Sequence, residues 1–320
     1  MTLYLLRRVA LALLALLVVS MLIFAATNVL PGNPATAILG KTATPERVAS
    51  LRLELGLDHS VVERYLSWLG GAVRLNFGRS VTQGVGAFGN GTSGTPVATL
   101  IGSSLSNTAF LAGISLLLVG VLSILLGTAT ALRRGSWLDS GTQVLGLLFI
   151  GLPEFVLGAL LIILFAFVWP ILPAVSLGVS AAALVLPVAT LVLCTLGVTV
   201  RYVRVGVIDV LQTNYVACAR LRGVPERRTL RRHVLPNALG PTMQIFAMVT
   251  GTFVGGVVVV EYLFAFPGIG SGFVTAVSGR DYPVVEAYTL VLAGAYIVAN
   301  LAADVVTMLC NPRLRAGITR

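Results

Sequence analysis

Long apolar runs with almost no charge alternate with short arginine-rich segments along the chain. No charged residue occurs from Ser80 to Leu132, or from Phe155 to Val200. An apolar run of about 18 residues or more is long enough to cross a bilayer as a helix. Six such runs are found, at residues 9–30, 100–132, 141–167, 181–203, 241–264 and 288–309. The pattern therefore predicts an all-α polytopic membrane protein with six transmembrane helices.

Composition narrows the class of protein further. Hydrophobic residues make up 57% of the 320 positions and charged residues only 11%, whereas soluble domains carry about 25% charged residues. A soluble enzyme, a disordered chain and a secreted disulfide scaffold are therefore excluded. The first run follows Arg7 and Arg8 and exceeds the apolar core of a signal peptide, which is about 7–15 residues long. We interpret it as an uncleaved membrane anchor.

Orientation follows from the distribution of basic residues. With the N-terminus inside, 15 of the 22 Lys and Arg residues fall in cytoplasmic segments and seven in outer ones. Cytoplasmic loops carry the excess of Lys and Arg in membrane proteins, so we expect both termini to be cytoplasmic. The chain then divides into the N-terminus with the first span (1–30), an outer segment (31–98), a five-helix core (99–310) that includes an internal loop (204–240), and a cytoplasmic tail (311–320).

The outer segment contains two predicted amphipathic helices. Thr44-Pro45-Glu46 has the N-cap, first-turn proline and first-turn acid of a helix start, and Gly56 is the predicted end. A second helix is predicted over residues 60–69. Apolar residues at helical spacing define one face of each helix: Val48, Leu51 and Leu55 in the first, and Val62, Tyr65, Leu66 and Leu69 in the second. Residues 83–94 are rich in glycine and predict a flexible loop.

The internal segment between the fourth and fifth spans is too long to be a simple connector. Residues 214–221 (NYVACARL) predict a short helix with small side chains in its middle, and Gly223 and Pro225 predict its end. Four arginines follow, between residues 227 and 232. From charge alone, an ordinary positive-inside loop is an equal alternative. The short helix with its glycine stop favours a surface element that fits closely into a groove on a partner.

These motifs resemble those of a known family. YVACARLRG (215–223) and HVLPNA (233–238) are similar to the EAA-type loop of binding-protein-dependent ABC importer permeases. Further motifs, in family order over nearly the whole chain, resemble the B-type permease subunit of dipeptide and oligopeptide transporters. They are LLRR (5–8), LPGNP (30–34), TPERVASLRLELGLD (44–58), RRGSWLD (133–139), FAFPGIG (264–270), RDYPV (280–284) and NPR (311–313). The resemblance implies the type I ABC importer permease fold.

The resemblance also implies roles for individual residues. Coupling to the ATPase falls to residues of the internal loop, namely Tyr215, Val216, Ala217, Ala219, Arg220, Gly223, His233, Leu235, Pro236 and Asn237. The outer gate and the docking surface for a binding protein fall to Phe264, Phe266, Pro267, Gly268, Gly270, Asp281 and Tyr282. We expect no catalytic residue and no cofactor in this chain, because such permeases rely on separate ATPase subunits that bind ATP and Mg²⁺.

The partners implied by the resemblance form a complete importer. They are a second homologous permease subunit in a heterodimer, two ATPase subunits or domains, and an extracytoplasmic substrate-binding protein. Lipid surrounds the spans of the chain in a bacterial cytoplasmic membrane, and no nucleic acid is expected. Short peptides are the implied cargo, with haem, glutathione or nickel chelates as alternatives.

Three acids in or at the ends of the predicted spans are candidates for the substrate path, namely Glu154, Glu261 and Asp304. Ionisable groups are costly at membrane depth and usually face a polar path or a partner. Glu154 stands where related permeases usually carry Ser or Thr, and its charge suits the amino terminus of a peptide. A structural pair with an arginine at the membrane edge is an equal alternative. Asn214 and Asn311 stand where the family usually has acids.

Other function classes have weaker support. Residues 35–42 (ATAILGKT) satisfy a relaxed phosphate-loop pattern, but a membrane span precedes them where a strand is required. We therefore expect no ATP hydrolysis by this chain. An ion-coupled secondary transporter, the alternative function, would show repeat symmetry between its halves, and none is found. The three cysteines and two histidines lack metal-ligand spacing, so no metal site is expected.

Overall fold

Helices make up almost all of the described chain. The computed structural model describes residues 2–29, 44–46, 49, 59–80, 82, 94–176, 178 and 180–310. The helices with defined bounds are α1 (Thr2–Val29), α2 (Val61–Val73), α3 (Val97–Leu132), α4 (Trp137–Ile150), α5 (Glu154–Ile162), α6 (Ala181–Leu211), α7 (Asn214–Leu221), α8 (Glu226–Thr229), α9 (Leu235–Leu263), α10 (Ile269–Ser278) and α11 (Tyr282–Cys310). Turns of π-helix, Ile163–Val168 and Leu230–Val234, follow α5 and α8. These residues contain no strand, which confirms the all-α prediction.

Each of the six predicted spans lies on helical structure. Helices α1, α3, α6 and α11 contain segments that are long and apolar enough to cross a membrane. The fifth predicted span lies on α9, where the apolar stretch Met248–Leu263 is shorter. The structure thus has four such helices in the residues it describes, or five if a bent pair is counted. The count of six stays a prediction.

The third predicted span is wrong as a single straight helix. Helix α4 ends at Ile150, α5 begins at Glu154, and the two are bent by 107°. The break falls at Gly151-Leu152-Pro153, because proline lacks an N–H and disfavours helical geometry in the residue before it. The apolar run continues through this break, so hydrophobicity alone does not reveal it.

The chain folds as two compact units. The first consists mainly of residues 108–267, and the second of residues 7–107 and 268–295. This packing division does not address the predicted partition at residues 30, 98 and 310, which stays a prediction.

Helix α6 is the centre of the first unit and packs against α4, α5 and α9. Small residues permit the close crossings. A side-chain carbon at Gly197 would lie 2.5 Å from the carbonyl oxygen of Gly146, so only glycine fits where α4 meets α6. Gly251 of α9 lies against Asn300 and Tyr296 of α11, which agrees with helix packing within this chain.

In the second unit, α2 packs against α1 through aromatic side chains. Ser60 and Glu63 form a capping box that begins α2. The ring of Phe24 lies 5.4 Å from that of Tyr65 and 5.8 Å from that of Trp68. Tyr65 and Ser20 join their hydroxyls at 2.8 Å.

The inward face of α2 is therefore rotated from the predicted one. Tyr65 and Leu69 are half-buried as expected, but Val62 and Leu66 are 66% and 59% exposed. Trp68 and the buried Ala72 complete the packed face instead. The reason is that large aromatic rings bury more apolar area than valine.

Several predicted features lie largely outside the described residues. Pro45 and Glu46 are helical, as the predicted first outer helix requires, but residues 47–48 and 50–58 are outside the description. The phosphate-loop-like residues 35–42 and the glycine-rich residues 83–93 are outside it as well, as is the tail, residues 311–320.

Candidate functional site

The internal segment forms the short helix that the sequence predicts, and its end is a glycine motif. Helix α7 spans Asn214–Leu221, and Gly223 has φ +73°. The N–H of Gly223 donates to the carbonyl of Arg220, and that of Val224 donates to Ala219. These two bonds define a Schellman end, which requires a left-handed residue at this position. The predicted stop at Gly223 is confirmed.

One side chain anchors α7 to the helices beneath it. Val216 is fully buried, in a cluster with Val203 and Val207 of α6, and with Val234 and Ala238 at the start of α9. Burying a valine side chain contributes about 1.5–3 kcal/mol. Because this anchor lies one turn from the end of α6, α7 is held against α6 and α9 together.

The carbonyl of His233 links the beginning of α7 to the beginning of α9. The Asn237 side-chain amide donates to this carbonyl at 2.7 Å, and the Tyr215 hydroxyl donates at 3.5 Å. The π-helical turn Leu230–Val234 shifts the helical register at this point. Three of the predicted coupling residues are thus brought together by one acceptor.

The opposite face of α7 is exposed and carries small or apolar side chains. Leu221 is 88% exposed and Tyr215 45% exposed, while Ala217 and Cys218 are also exposed. Among the other predicted coupling residues, Ala219 and Leu235 are half-buried and Pro236 is exposed. Arg220 forms an ion pair with Glu226 at 2.7 Å. The segment therefore offers a shallow apolar surface flanked by exposed arginines, namely Arg220, Arg222, Arg227, Arg228, Arg231 and Arg232.

An ion pair ties α4 to the part of α6 that leads into α7. The Arg204 guanidinium donates through Nε to Asp139 Oδ1 at 2.6 Å and through a terminal nitrogen to Oδ2 at 2.7 Å. The N–H of Gly135 also donates to Oδ2, at 3.0 Å. The Asp139 side chain is 7% exposed and that of Arg204 18%. Such a two-pronged pair fixes the angle between the two helices as well as their distance.

A second aspartate organises the outer loop base, by which we mean residues 78–82 and 94–97. Asp281 is buried and accepts hydrogen bonds from the hydroxyls of Ser80 and Thr82 and from the N–H of Thr82. The Ser80 N–H donates to the Thr95 carbonyl at 2.9 Å, and the Val97 N–H donates to the Gly78 carbonyl at 3.0 Å. Asp281 was predicted to lie at a docking surface, and its contacts show a role in holding this loop.

The other predicted gate residues are mostly buried. Phe264 and Phe266 are fully buried in the core of the first unit, and the Phe264 carbonyl accepts from the N–H of Ser176 at 2.7 Å. Pro267 is exposed. In the second unit, Gly268 and Gly270 are buried and Tyr282 is half-buried. Their assignment to a gate stays a prediction.

The three candidate acids of the substrate path have different surroundings. Glu154, the first residue of α5, lines a cavity of about 110 Å³. Glu261 is fully buried near the end of α9, and Asp304 is half-buried in α11. Neither of these two lines the cavity.

Some functional features were missed in the sequence. The exposure of Leu221 has a signal, since a leucine beside a glycine stop on a polar helix is unusual. The Asp139–Arg204 pair joins residues 65 positions apart, and Asp281 holds Ser80 from 201 positions away. The buried Glu286, which accepts from the Thr27 hydroxyl, was not among the candidates. Spacing along the chain does not indicate such partners.

Comparison with known proteins assigns the family. Residues 123–316 match the binding-protein-dependent transport system inner membrane component, and residues 1–110 match the N-terminal part of such membrane components. The chain belongs to this family. It is a permease subunit of an ABC importer and a multi-pass membrane protein, which confirms the resemblance and excludes the secondary transporter.

Relatives with described roles are similar over almost their full length. The metal-staphylopine import system permease protein CntB of Staphylococcus aureus is 35% identical, covering 98% of each chain. A peptide transport system permease protein of Brucella abortus is 33% identical over 98% of this chain and 99% of its own. The oligopeptide transport system permease protein AppB of Bacillus subtilis is 32% identical with the same coverage. The membership of the family implies ATPase and binding-protein partners.

Proposed function

We propose that α7 and the residues around Gly223 form the site through which ATPase subunits drive this permease. The observation that carries the proposal is the two-sided character of α7. Val216 fixes one face in the core, while Leu221 is 88% exposed on the other. A large apolar side chain that is held outward on a short, firmly anchored helix suits insertion into a groove on a partner.

The energy for transport then comes from outside the chain. Two ATPase subunits or domains bind ATP and Mg²⁺, and their closure pushes α7. Because Val216 contacts residues of both α6 and α9, a displacement of α7 is delivered to two long helices at once. The Asp139–Arg204 pair passes the displacement of α6 to α4. Coupling of this kind needs an element with two positions that both sites bias.

The remaining partners follow from the permease architecture. We propose a second homologous permease subunit, because one chain supplies half of the translocation path in a pseudo-twofold heterodimer. An extracytoplasmic binding protein would dock on residues 44–69 and on residues 264–283. The exposed Val62 and Leu66 of α2 support this surface, since they face away from the packed side of the helix.

Orientation is part of the proposal. We propose cytoplasmic termini, with α2 outside and α7 inside, because the basic residues concentrate around α7. Single cysteines at the exposed Ser67 and Arg227, in a chain whose native cysteines are replaced, should react with an impermeant reagent from opposite sides of the membrane. Labelling of both from one side would exclude this topology.

We propose short peptides as the cargo. Two of the relatives above are named for peptide or oligopeptide transport. A metal chelate is the second candidate, because a relative with 35% identity is named for metal-staphylopine import. Uptake of radiolabelled dialanine by the reconstituted importer, with and without an excess of a metal chelate, tests the choice. Dialanine uptake that the chelate does not reduce supports peptides.

The coupling role is tested by two exposed leucines. Leu221→Ser removes the apolar side chain that α7 presents, and Leu75→Ser removes a leucine that is 71% exposed in the outer segment. We expect Leu221→Ser to lower both ATPase copurification and uptake about tenfold, since a central apolar contact is worth about 1–2 kcal/mol. Leu75→Ser should leave copurification unchanged. Equal retention of the ATPase by both variants would exclude α7 as the coupling site.

A further inference from the structure

A cavity between three helices has a distinctive set of polar groups. It has a volume of about 110 Å³ and is lined by α5, α6 and α9. Its lining residues are Glu154, Leu191, Cys194, Thr195, Val198, Val249, Thr252, Phe253 and Gly256. Apolar side chains thus surround a single carboxylate and two threonines.

The Glu154 carboxylate is placed to stay charged. It belongs to the first residue of α5, and the positive end of a helix stabilises negative charge there. Within the part of the chain that the structure describes, no group forms a hydrogen bond or an ion pair with this carboxylate. An ionisable side chain at membrane depth is retained for a ligand or a pathway when no structural partner explains it.

Gly256 keeps space free beside the carboxylate. A side-chain carbon at this position would lie 3.3 Å from Glu154 Oε1. Gly256 itself is buried, whereas Gly255 beside it has open space where a side chain would be. The glycine therefore maintains the approach to Glu154.

The two threonines present acceptors to the cavity. The Thr195 hydroxyl donates its proton to the Leu191 carbonyl at 2.8 Å, and the Thr252 hydroxyl donates to Val249 at 2.9 Å. A hydroxyl has one proton and two lone pairs, so both oxygens are left as acceptors. The cavity therefore offers one carboxylate and two hydroxyl oxygens, with no donor among these three groups.

These acceptors define the chemistry of the ligand. We propose that the cavity binds a primary ammonium group, whose three N–H donors match the three acceptors and whose charge matches Glu154. A hard divalent cation takes six or more oxygen ligands, which this set does not supply. Drug-sized ligands occupy sites of about 300–1,000 Å³, so the cavity takes only the end of a larger molecule.

The ammonium group belongs to the cargo. This step rests on the proposed peptide cargo, because the free amino terminus of a short peptide carries such a group. Cys194 and Thr195 lie near the middle of the α6 span, where a passing amino terminus would otherwise lose its hydration. Glu154 is thus a substrate-binding residue for the positive end of a peptide during passage.

The thiol of Cys194 provides a direct test, since it lines the cavity and is half-buried. In the assembled importer with Cys218 and Cys310 replaced by Ser, we compare two thiol reagents, cationic 2-aminoethyl and anionic 2-sulfonatoethyl methanethiosulfonate. The wild-type cavity should react faster with the cationic reagent. Glu154→Gln should lower the cation-to-anion rate ratio about tenfold, Glu154→Asp should retain it, and Asp209→Asn, an exposed acid of α6, should leave it unchanged. An equal ratio in Glu154→Gln and wild type overturns the proposal.

Protection by peptides identifies the source of the ammonium. Dialanine should slow the modification of Cys194, while N-acetyldialanine should not. Equal protection by both, or loss of the partner permease on purification of Glu154→Gln, overturns assignment to the cargo. Failure of dialanine uptake with the charge preference intact would overturn the peptide cargo and support the ammonium site alone.

Discussion

The coupling segment, residues 201–240, and the outer loop base are built from similar parts. Each contains a glycine at positive φ with open space around it, Gly223 at +73° and Gly78 at +81°. Each is tied to its surroundings by a buried aspartate, Asp139 through Arg204 and Asp281 through Ser80 and Thr82. They differ in what they leave exposed and in the charge of their partners.

The difference concerns how each aspartate is compensated. Asp139 faces the full positive charge of a nearly buried arginine, so each partner depends on the other. Asp281 accepts from neutral hydroxyls and an N–H, which can turn to other acceptors. A charge pair fixes one geometry between two helices, whereas neutral donors hold a loop with more tolerance. The coupling segment therefore has the stiffer attachment, as a transmitting element requires.

The largest expected difference is in function. Gly223→Asp and Gly78→Asp place the same side chain at similar positive φ, with a cost of about 1 kcal/mol each for a side-chain carbon there. We expect Gly223→Asp to keep normal membrane abundance but to lose ATPase copurification and more than about 90% of uptake, because its carboxylate must be desolvated at the ATPase contact. Gly78→Asp should retain the ATPase. The measurements are copurification and peptide uptake.

The two variants separate strain from contact. If both lost the ATPase to the same extent, backbone strain would explain the loss and the comparison would fail. If Gly223→Asp retained wild-type uptake, the coupling role of α7 would be wrong.

The aspartates give the next effect. Asp139→Asn leaves Arg204 nearly buried without its charge partner, and breaking such a pair costs about 3 kcal/mol of the free energy of unfolding. Asp281→Asn keeps an acceptor for Ser80 and Thr82, so we expect a loss of about 1 kcal/mol. Unfolding of the purified permease in detergent measures both.

The charge pair also has its own control. Arg204→Lys retains the charge but not the two-pronged geometry, and it should lie between wild type and Asp139→Asn. Equal losses for Asp139→Asn and Asp281→Asn would show that the charge of the partner does not distinguish the two regions.

These contacts also show what sequence can and cannot predict. The end of α7 depends on Gly223, Val224 and Pro225, which are neighbours in the chain, so local rules identify it. The spans follow from apolar runs for the same reason. The break at Pro153 overrides an apolar run that continues through it, and hydrophobicity carries no sign of the bend.

Long-range partners are the part that sequence does not reveal. Arg204 is one of eight arginines between residues 201 and 232, and charge alone does not show which of them pairs with Asp139. For Asp281, the serine and threonine donors lie 199–201 positions away. The inward face of α2 illustrates the same limit, because Trp68 packs against Phe24 of another helix.

Two fully buried valines test the packing of the regions. Val216 anchors α7, and Val97 lies at the outer loop base. Each Val→Ala change should cost about 2 kcal/mol, because two methyl groups are lost and the cavity closes only in part. Only Val216→Ala should also weaken ATPase copurification, since only α7 contacts the ATPase. A similar loss of copurification in Val97→Ala would remove this distinction between the regions.

The smallest effect is expected from the exposed ion pairs. The side chains of Arg220 and Glu226 are 47% and 71% exposed, so water and salt screen their attraction. Glu226→Gln should change the free energy of unfolding by less than about 0.5 kcal/mol. Glu63→Gln, in the matched outer pair with His59 at 3.7 Å, should do the same, because glutamine also serves in a capping box. A loss near that of Asp139→Asn in Glu226→Gln would mean that α7 is held by surface charge and not by Val216, and the stiffness inferred for the coupling segment would then depend on ionic strength.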